Sequence, residues 1–558
     1  MLRKRKYYFL TALLITLLFC IPFYQSSVFT GLDLSFHLSR IQGILTSIAD
    51  HQFPLAVYPD KNFGFGYASP LFYCDLFLLP ASFLYALHMP ILLVYKIYVF
   101  FISFLGTCLC LSSMRYLTEK DHISIFCTVV FVFSSYHIND FFIRAALGEA
   151  MAFSLLPAVI LAMYRYLEEG KENTLELAAG FSLLALSHLI TFALTSAVFA
   201  VLLMVYAKRI AEHRHWLPLV KAVGIGFVLC AFFLIPLLQQ MRSQEFQYAR
   251  NRALWGEEIM RNYSNTLLSA LSDYLLLGHY DLEAHHYFTG LTVVLTPLFY
   301  LTVKKEARNR FMTSVTVISV ILLIATTDLI PLYKIYFLQS LQFTYRFIIL
   351  IASFLPAVLA CTLSQKKKQV QNIVMILSLL YITANTGVIY HQLIHDPDQT
   401  RNDVTTEELF TGEFYENYNN HYNVAELASG EYLPTAHQMD YEALSGVYEL
   451  FDTEGSVTGT RSGSETTIQV NAESDGYAAL PVSWYLGYAA EEVSPGSASL
   501  PCIRDEYTGR IVLPVSAGEH SYRIYYKGTT VQKGAAVLSL LGGAVLMYWL
   551  IRRNGETH

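Results

Sequence analysis

Three ionisable residues near the start of the chain, Asp33, His37 and Arg40, could carry chemistry together. A helix would place them on one face, because positions i, i+4 and i+7 lie above one another. A carboxylate there can take the proton of an incoming hydroxyl, and an arginine suits phosphate recognition. The same spacing is typical of an amphipathic interfacial helix with a solvated polar face. The pattern alone leaves both interpretations open.

A second ionisable group follows Tyr136 and contains Asp140, Arg144 and Glu149. Asp140 and Arg144 are i and i+4, so on a helix they would be neighbours. The spacing predicts either a functional carboxylate–guanidinium pair or a plain salt bridge.

Two more polar residues, His188 and Arg346, stand at the ends of apolar runs. A lone histidine at a helix end, such as His188, is more often a hydrogen-bonded interfacial residue than a ligand, and both interpretations stay open. Arg346 either snorkels to lipid headgroups or binds a lipid phosphate held at that depth.

Metal and nucleotide chemistry have little support in the sequence. His279, Asp281, His285 and His286 are residue types that bind divalent metals, but their spacing matches no specific motif. The metal therefore stays unknown, with a divalent cation as one option. The sequence contains no Walker A loop, no glycine-rich dinucleotide fingerprint and no Gly-x-Ser-x-Gly. We expect no nucleotide cofactor, so an activated group must arrive from the membrane or the outside.

Membrane helices are the elements that must position these residues. The 558 residues are 54% hydrophobic and 15% charged, whereas soluble domains carry about 25% charged residues. A helix needs about 20 mostly apolar residues to cross the hydrocarbon core. Twelve segments fit: 7–24, 91–113, 122–138, 147–166, 173–190, 191–207, 216–238, 289–303, 311–327, 343–363, 370–390 and 533–551. The chain is therefore predicted to be a polytopic α-helical membrane protein.

The distribution of Lys and Arg predicts the orientation, since basic loops face the cytoplasm. Met1–Lys6 puts the N-terminus inside, and the later basic loops and the tail from Arg552 then fall on the same side. Segment 70–88 would break this parity if it crossed. It contains Asp75 and Pro80, and we interpret it as a re-entrant or interfacial piece on the outer side.

Three domains follow from these assignments. Residues 1–390 form a transmembrane module with outer loops 25–90, 139–147 and 239–288. Residues 391–530 form an extracytoplasmic domain that is β-rich from about 455, because short alternating strands are separated there by Gly, Ser, Asp and Pro. The predicted strands include Thr466–Val470, Tyr477–Val482, Arg510–Pro514 and His520–Tyr526. Residues 531–558 supply the final helix and a cytoplasmic tail. Neither the acidic C-terminal region nor the short basic loops indicate nucleic-acid binding.

Several motifs, taken in order, resemble the polytopic glycosyltransferases of the GT-C fold, and in particular their bacterial YfhO-like branch. Relatives usually have Gly-Trp where this chain has Gly487-Tyr488, and Gln-Phe-Pro-Trp-Arg where it has Gln342-Phe-Thr-Tyr-Arg346. The matching segments are Asp33 with Phe36-His37-Leu38 and Arg40, Tyr67-Ala-Ser-Pro70-Leu-Phe-Tyr73, Arg144-Ala-Ala-Leu-Gly-Glu149 with Pro157, Leu186-Ser-His188, Gln342-Phe-Thr-Tyr-Arg346-Phe, Leu480-Pro-Val-Ser-Trp-Tyr-Leu-Gly487-Tyr and Leu513-Pro-Val-Ser-Ala-Gly518-Glu-His520.

The resemblance implies an inverting transfer of a sugar from a polyprenyl-phosphate donor to an extracytoplasmic glycan, polymer, lipid or protein at the bacterial plasma membrane. Asp33 matches the position of the catalytic base. The donor phosphate would be bound by Arg40, Arg144 and Arg346. Acceptor-binding or supporting roles would fall to His37, Asp140, Glu149 and His188.

Two other functions fit the same sequence. A lipid-linked glycan transporter or flippase would also need many helices and an outer domain. It would place polar residues across the membrane midplane, however, whereas here they gather at the predicted outer boundary. A non-catalytic envelope assembly or receptor protein, built around the β-rich domain, is the third option.

Overall fold

The computed structural model of the chain describes residues 2–25, 28–29, 31–52, 54–212, 216–266, 290–395, 400–401, 414–417, 420–423, 427, 430–436, 439–493 and 499–555. The described α-helices are α1 Leu2–Phe19, α2 Leu34–Ala49, α3 Leu79–Ala86, α4 Ile91–Thr118, α5 Asp121–Val132, α6 Ser135–Ile138, α7 Leu147–Leu167, α8 Thr174–Ser187, α9 Leu189–Val205, α10 Ala207–Glu212, α11 Trp216–Ser243, α12 Gln247–Asn262, α13 Leu291–Leu301, α14 Arg310–Ala325, α15 Ile348–Ser364, α16 Lys368–His395 and α17 Thr530–Gly555.

Each of the twelve predicted apolar segments contains helix among its described residues, but 122–138 is broken after Val132 instead of forming one continuous helix. Six described helices are long and apolar enough to cross a membrane, and the number is seven if α5 and the following Ser135–Ile143 count as one bent span. Shorter apolar helices, such as α8, α9, α13 and α14, account for other predicted segments. The prediction of a polytopic helical membrane protein is confirmed.

Segment 70–88 contains only short helices. Two 3-10 turns, Ser69–Leu71 and Leu76–Leu78, precede the eight-residue α3. At 1.5 Å per residue α3 is about 12 Å long, well short of a hydrocarbon core of about 30 Å.

The β-strands are β1 Val28–Phe29, β2 Thr400–Arg401, β3 Phe414–Asn417, β4 Asn420–Asn423, β5 Glu449–Phe451, β6 Gly455–Ser462, β7 Glu465–Ala472, β8 Gly476–Ser483, β9 Tyr488–Glu492, β10 Ser499–Leu500, β11 Ile503–Arg504, β12 Arg510–Val515 and β13 Gly518–Tyr526. One antiparallel sheet has the order β10-β9-β13-β7-β6 and another has the order β11-β12-β8-β5. Both sheets contribute side chains to one apolar core, including Ile468, Leu480, Leu513 and Ile524. The predicted β-rich region before the last helix is therefore confirmed as a small sandwich.

The chain divides into two compact units. Unit 1 contains residues 1–34, 92–226 and 254–403, and unit 2 contains residues 35–91, 227–253 and 404–558. The predicted sequential boundaries at 390 and 530 remain a prediction.

Within unit 1, α15 is the most buried of the long candidate spans, and α5, α7, α13 and α14 pack around it. The first turn of α7 carries Glu149, and the 3-10 turn Thr344–Phe347 leading into α15 carries Arg346. The fold therefore brings the starts of these helices to the candidate site.

Candidate functional site

Asp33 lies directly before α2 and belongs to unit 1. Its backbone N–H donates to the carbonyl oxygen of Arg144 at 2.9 Å. Its side chain is half-buried, and no described residue donates a hydrogen bond to its carboxylate. Asp33 is thus held by its backbone while its carboxylate stays available.

Backbone packing explains why Asp33 lies beside Arg144. Gly31 has a φ of +54°, and a Cβ there would come within 2.7 Å of the Ala145 Cβ and 3.2 Å of the Ile143 carbonyl oxygen. Ala145 itself has a φ of +54°. Non-glycine residues with a positive φ, such as Ala145, cost free energy, and they often occur at functional sites. The loop before α2 can approach Arg144 this closely only because residue 31 has no side chain.

Arg144 binds two carboxylates through a single nitrogen. Its Nη1 donates to Asp140 Oδ1 at 2.8 Å and to Glu149 Oε2 at 2.9 Å. A π-helical turn, Asn139–Ile143, sets this geometry, since Arg144 N–H reaches back to the Asn139 carbonyl oxygen at 2.9 Å. Among the described residues, neither Nε nor Nη2 of Arg144 has a hydrogen-bond partner. Nε and Nη2 of Arg144 can therefore still donate hydrogen bonds to a ligand.

Glu149 connects Arg144 to its neighbours. Tyr136 donates its hydroxyl to Glu149 Oε1 at 2.7 Å, and Arg346 Nε lies 3.8 Å from Oε2. The guanidinium of Arg144 also lies 5.4 Å from the ring centre of Tyr345. Both tyrosines are fully buried. Tyr136 therefore holds the Glu149 carboxylate, and Tyr345 packs near the Arg144 guanidinium, from the protein interior.

Arg346 is anchored at one end of its guanidinium. Nη1 donates to the Leu341 carbonyl oxygen at 2.7 Å and to Gln342 Oε1 at 2.8 Å. Gln342 adopts a φ of +62° to hold this position. Within the described part of the chain, Nη2 of Arg346 has no hydrogen-bond partner. Arg346 therefore resembles Arg144 in having a terminal nitrogen free to donate.

His188 joins the same group. It lies at the break between α8 and α9, in extended backbone, and its Nδ1 lies 2.8 Å from Thr191 Oγ1. It is close enough to Glu149, Arg144 and Arg346 to interact with them electrostatically. Unit 1 thus brings together Asp33, Asp140, Arg144, Glu149, His188 and Arg346.

Burial makes the Asp33 carboxylate more basic than an exposed one, although two nearby guanidinium groups oppose this effect. Burial raises the pKa of Asp33 above its ordinary value, and nearby Glu149 adds to the rise. Arg144 and Arg346 oppose the shift by stabilising the ionised form. The pKa of Asp33 remains raised overall, which makes its carboxylate a better proton acceptor than an exposed aspartate.

Arg40 and His37 belong to unit 2 and make their own contacts there. Arg40 forms a buried ion pair with Asp75, with Nη2 at 2.6 Å and Nε at 2.8 Å from Oδ1. Its Nη1 lies 3.1 Å from His37 Nδ1, and Nη2 also donates to the Cys74 carbonyl oxygen at 3.0 Å. All three nitrogens of this guanidinium are therefore engaged within the protein, unlike those of Arg144 and Arg346.

Sequence reasoning missed four residues that complete these contacts, namely Tyr58, Asp75, Tyr136 and Tyr345. Tyr58 donates its hydroxyl to Asp75, and Asp75 was noticed only as an obstacle to a membrane crossing. An acidic residue in an apolar segment signals a partner, so Asp75 was detectable. Tyr345 lies inside one of the matching segments and Tyr136 precedes the second ionisable group, but neither tyrosine has a pattern of its own.

The described residues include no group of three or more His, Cys, Asp or Glu side chains placed to hold a metal ion. The four candidate ligands His279, Asp281, His285 and His286 lie outside the described residues.

Comparisons with known proteins give a family, one similar curated protein and one similar solved structure. A curated protein of Lactococcus lactis subsp. cremoris (strain MG1363), described as uncharacterized, is 25% identical over 254 residues, which are 42% of this chain and 40% of that protein. The cryo-EM structure of the arabinofuranosyltransferase AftD from Mycobacteria is similar at a TM-score of 0.48 and 14% identity, covering 72% of this chain and 28% of AftD. The chain thus spans less than half of either protein.

Residues 70–393, more than half of the chain, match the family model described as "6-pyruvoyl-tetrahydropterin synthase related domain; membrane protein". The chain therefore belongs to this family of membrane proteins.

Proposed function

We propose that the chain is a GT-C-type glycosyltransferase of the YfhO-like kind, which moves a sugar from a polyprenyl phosphate to a cell-envelope acceptor. One observation carries the proposal. Asp33 has a carboxylate with no hydrogen-bond donor among the described residues, beside Arg144 and Arg346, each of which keeps an unused terminal nitrogen. A base and two cations are what an inverting transfer from a lipid phosphate needs.

The proposed reaction is a single displacement. The acceptor hydroxyl attacks the anomeric carbon and gives its proton to Asp33. The bond between that carbon and the phosphate oxygen breaks with inversion, and polyprenyl phosphate leaves. Phosphate is stable as an anion, so the leaving group needs no general acid.

Arg144 and Arg346 would bind the phosphate oxygens through their unused nitrogens. Asp140 and Glu149 would hold Arg144 in place by the two bonds to its Nη1, and His188 would support Glu149. Arg40 fits this role less well, because its three nitrogens already bind Asp75, His37 and backbone carbonyls. We therefore propose Arg40 and His37 as residues that hold segment 70–88.

The proposed setting is the bacterial plasma membrane, with both termini cytoplasmic and the active face extracytoplasmic. The acceptor would be an envelope glycan, polymer, lipid or protein. The donor sugar would be attached to a polyprenyl phosphate that lies in the bilayer.

The experiment that tests this function uses the full chain in lipid nanodiscs with radiolabelled polyprenyl-phosphate sugars and a cell-envelope extract. The proposal predicts release of polyprenyl phosphate and a labelled product of inverted anomeric configuration. A transporter would instead move the labelled lipid between leaflets of a proteoliposome without releasing polyprenyl phosphate. That result with every donor would contradict the proposed chemistry.

A further inference from the structure

A second cationic site lies in unit 2, around Arg461 near the end of β6. Arg461 Nε donates to the Gly463 carbonyl oxygen at 3.0 Å, which fixes the base of the guanidinium. Both terminal nitrogens, Nη1 and Nη2, are buried and have no hydrogen-bond partner among the described residues. This differs from Arg510 and Arg523 of the same unit, each of which pairs with glutamate.

The turn 61–66 packs directly on this guanidinium. A Cβ added to Gly66 would lie 3.4 Å from Arg461 Nη2. The turn closes through Phe65 N–H to the Asn62 carbonyl oxygen and Gly66 N–H to the Lys61 carbonyl oxygen, both at 2.9 Å. Asn62 and Phe63 adopt φ of +55°, and Gly64 and Gly66 adopt +84° and +86°. Non-glycine residues such as Asn62 and Phe63 cost free energy when φ is positive, and strain of this kind is common at binding sites.

No side chain among the described residues pairs directly with Arg461, although Asp50 and Asp60 lie near enough to act on its charge. The nearby carboxylates are occupied elsewhere, since Asp50 accepts the Ser464 N–H, while Asp60 accepts from Thr46 at 3.0 Å and pairs with Lys61 at 3.3 Å. Burial accordingly lowers the pKa of Arg461 in spite of these acidic neighbours.

Two more buried polar groups in this part of unit 2 lack partners among the described residues. Tyr488, which interacts electrostatically with Arg461, has a buried hydroxyl without a hydrogen bond. Asn62, in the turn against the guanidinium, has both amide atoms unbonded. A buried polar group without a partner costs free energy, and a buried unpaired charge costs more. The unbonded donors on Arg461, Tyr488 and Asn62 therefore favour a ligand that accepts hydrogen bonds and carries negative charge.

We propose that Arg461 is the centre of an oxyanion-binding site in unit 2, which takes the phosphate or carboxylate group of an anionic glycan. The planar guanidinium presents two adjacent donors, which match two oxygens of one phosphate or carboxylate. The site goes beyond the proposed transfer reaction, because it uses none of the residues around Asp33. Because both terminal nitrogens are buried, we expect the turn 61–66 to move when an anion enters.

The test measures anion-dependent thermal stability of the full chain in lipid nanodiscs, at constant ionic strength. The probes are inorganic phosphate, D-glucuronate and, as a neutral sugar, D-glucose. Wild type should show a saturable rise in Tm with phosphate, glucuronate or both. The anion that gives the larger rise in Tm indicates which anionic group the site prefers. Arg461→Gln should lose that rise, while the control Arg523→Gln, on β13 of the same sheet, should keep it.

Two outcomes would overturn the proposal. One is an equal Tm rise in wild type and Arg461→Gln, or no rise in either protein. The other is a rise with glucose as large as that with glucuronate, which would indicate a neutral-sugar site.

Arg461→Met without any anion gives a second readout, since removing an unpaired charge should leave Tm unchanged or higher. A large drop in Tm would mean that Arg461 has a structural partner. These readouts do not use sugar transfer, so they fail or succeed independently of the proposed function.

Discussion

The carboxylates of the described site regions differ in how their oxygens are used. Asp75, Asp140 and Glu149 each accept hydrogen bonds from an arginine or a tyrosine. Asp33 accepts none from the described residues, although it lies within reach of two guanidinium charges. A carboxylate that is near cations yet unbonded can still take up a proton from a bound hydroxyl. This difference, and not the presence of acidic residues as such, separates Asp33 from its neighbours.

The raised pKa of Asp33 predicts a pH dependence. A base works only when deprotonated, so kcat/KM should fall as the pH drops through the pKa of Asp33. Burial raises that pKa, so the fall should begin at a higher pH than the usual aspartate value of about 3.9 suggests. A pH–rate profile of wild type and Asp33→Asn checks this. The acidic limb should vanish in the variant, and its survival would assign the limb to another group.

The two arginines with unused donors should matter more for donor binding than other arginines do. A hydrogen bond to a charged group is worth about 1.5–3 kcal/mol, so Arg346→Lys should weaken donor binding by about ten- to a hundredfold. Lysine keeps the charge but cannot bind Gln342 and a phosphate through separate nitrogens. Donor KM measures the effect. Arg242→Lys, an exposed position at the end of α11, is the control, and equal KM values for both variants would contradict the assignment.

The sequence predicts the ion-pair partner of a residue only where both residues lie on the same structural element. Asp140 and Arg144 are i, i+4 neighbours, and they do form an ion pair. Arg40 was grouped with Asp33 by helical spacing, but its ion-pair partner is Asp75, 35 residues away. Periodicity compares positions within one helix and cannot find a partner supplied by another segment.

At the scale of elements, the contact between Gly31 and Ala145 sets the position of Asp33. Gly31→Ala would introduce a Cβ 2.7 Å from the Ala145 Cβ and a left-handed alanine that costs about 1–2 kcal/mol. We expect a lower Tm and a lower kcat, because Asp33 would shift away from Arg144. Thermal unfolding and the transfer assay measure both.

Gly387→Ala, in α16 where nothing lies within 4 Å, is the matched control for the glycine prediction. Alanine is favoured over glycine inside a helix by about 1 kcal/mol. This variant should therefore keep its activity and be as stable as wild type or more so. Loss of activity in both variants alike would remove the special role of Gly31.

Apolar segments and strands were predictable to different degrees. The predicted strands Thr466–Val470, Tyr477–Val482, Arg510–Pro514 and His520–Tyr526 lie inside β7, β8, β12 and β13. β6 was missed because its glycines and small polar residues give no apolar alternation. The predicted helix 122–138 is broken after Val132, where Ser134 is extended with ψ of 140°, and the two parts meet at 50°. Hydropathy averages over such a break, so the turn that presents Asp140 was not visible in the sequence.

At the scale of the whole molecule, the predicted topology is open to a direct test. Single cysteines at Glu473, in the β-rich region, and at Lys305, in a predicted cytoplasmic loop, are both exposed positions. In intact cells a membrane-impermeant maleimide should label Glu473→Cys at once and Lys305→Cys only after permeabilisation. Cys502→Ser, made in both, removes the native cysteine of the β-rich region. The reverse labelling pattern would place the candidate site on the cytoplasmic side and exclude an extracytoplasmic transferase.

The measurement that tests the central claim most directly is single-turnover sugar transfer by Asp33→Asn, with donor binding measured separately. A positioned general base contributes about 10²–10⁴-fold to rate. The variant should therefore bind the polyprenyl-phosphate donor as wild type does and transfer its sugar about 10²–10⁴-fold more slowly. The control Asp328→Asn, at an exposed position, should transfer at the wild-type rate. Equal rates for wild type and Asp33→Asn would contradict the assignment of Asp33 as the base.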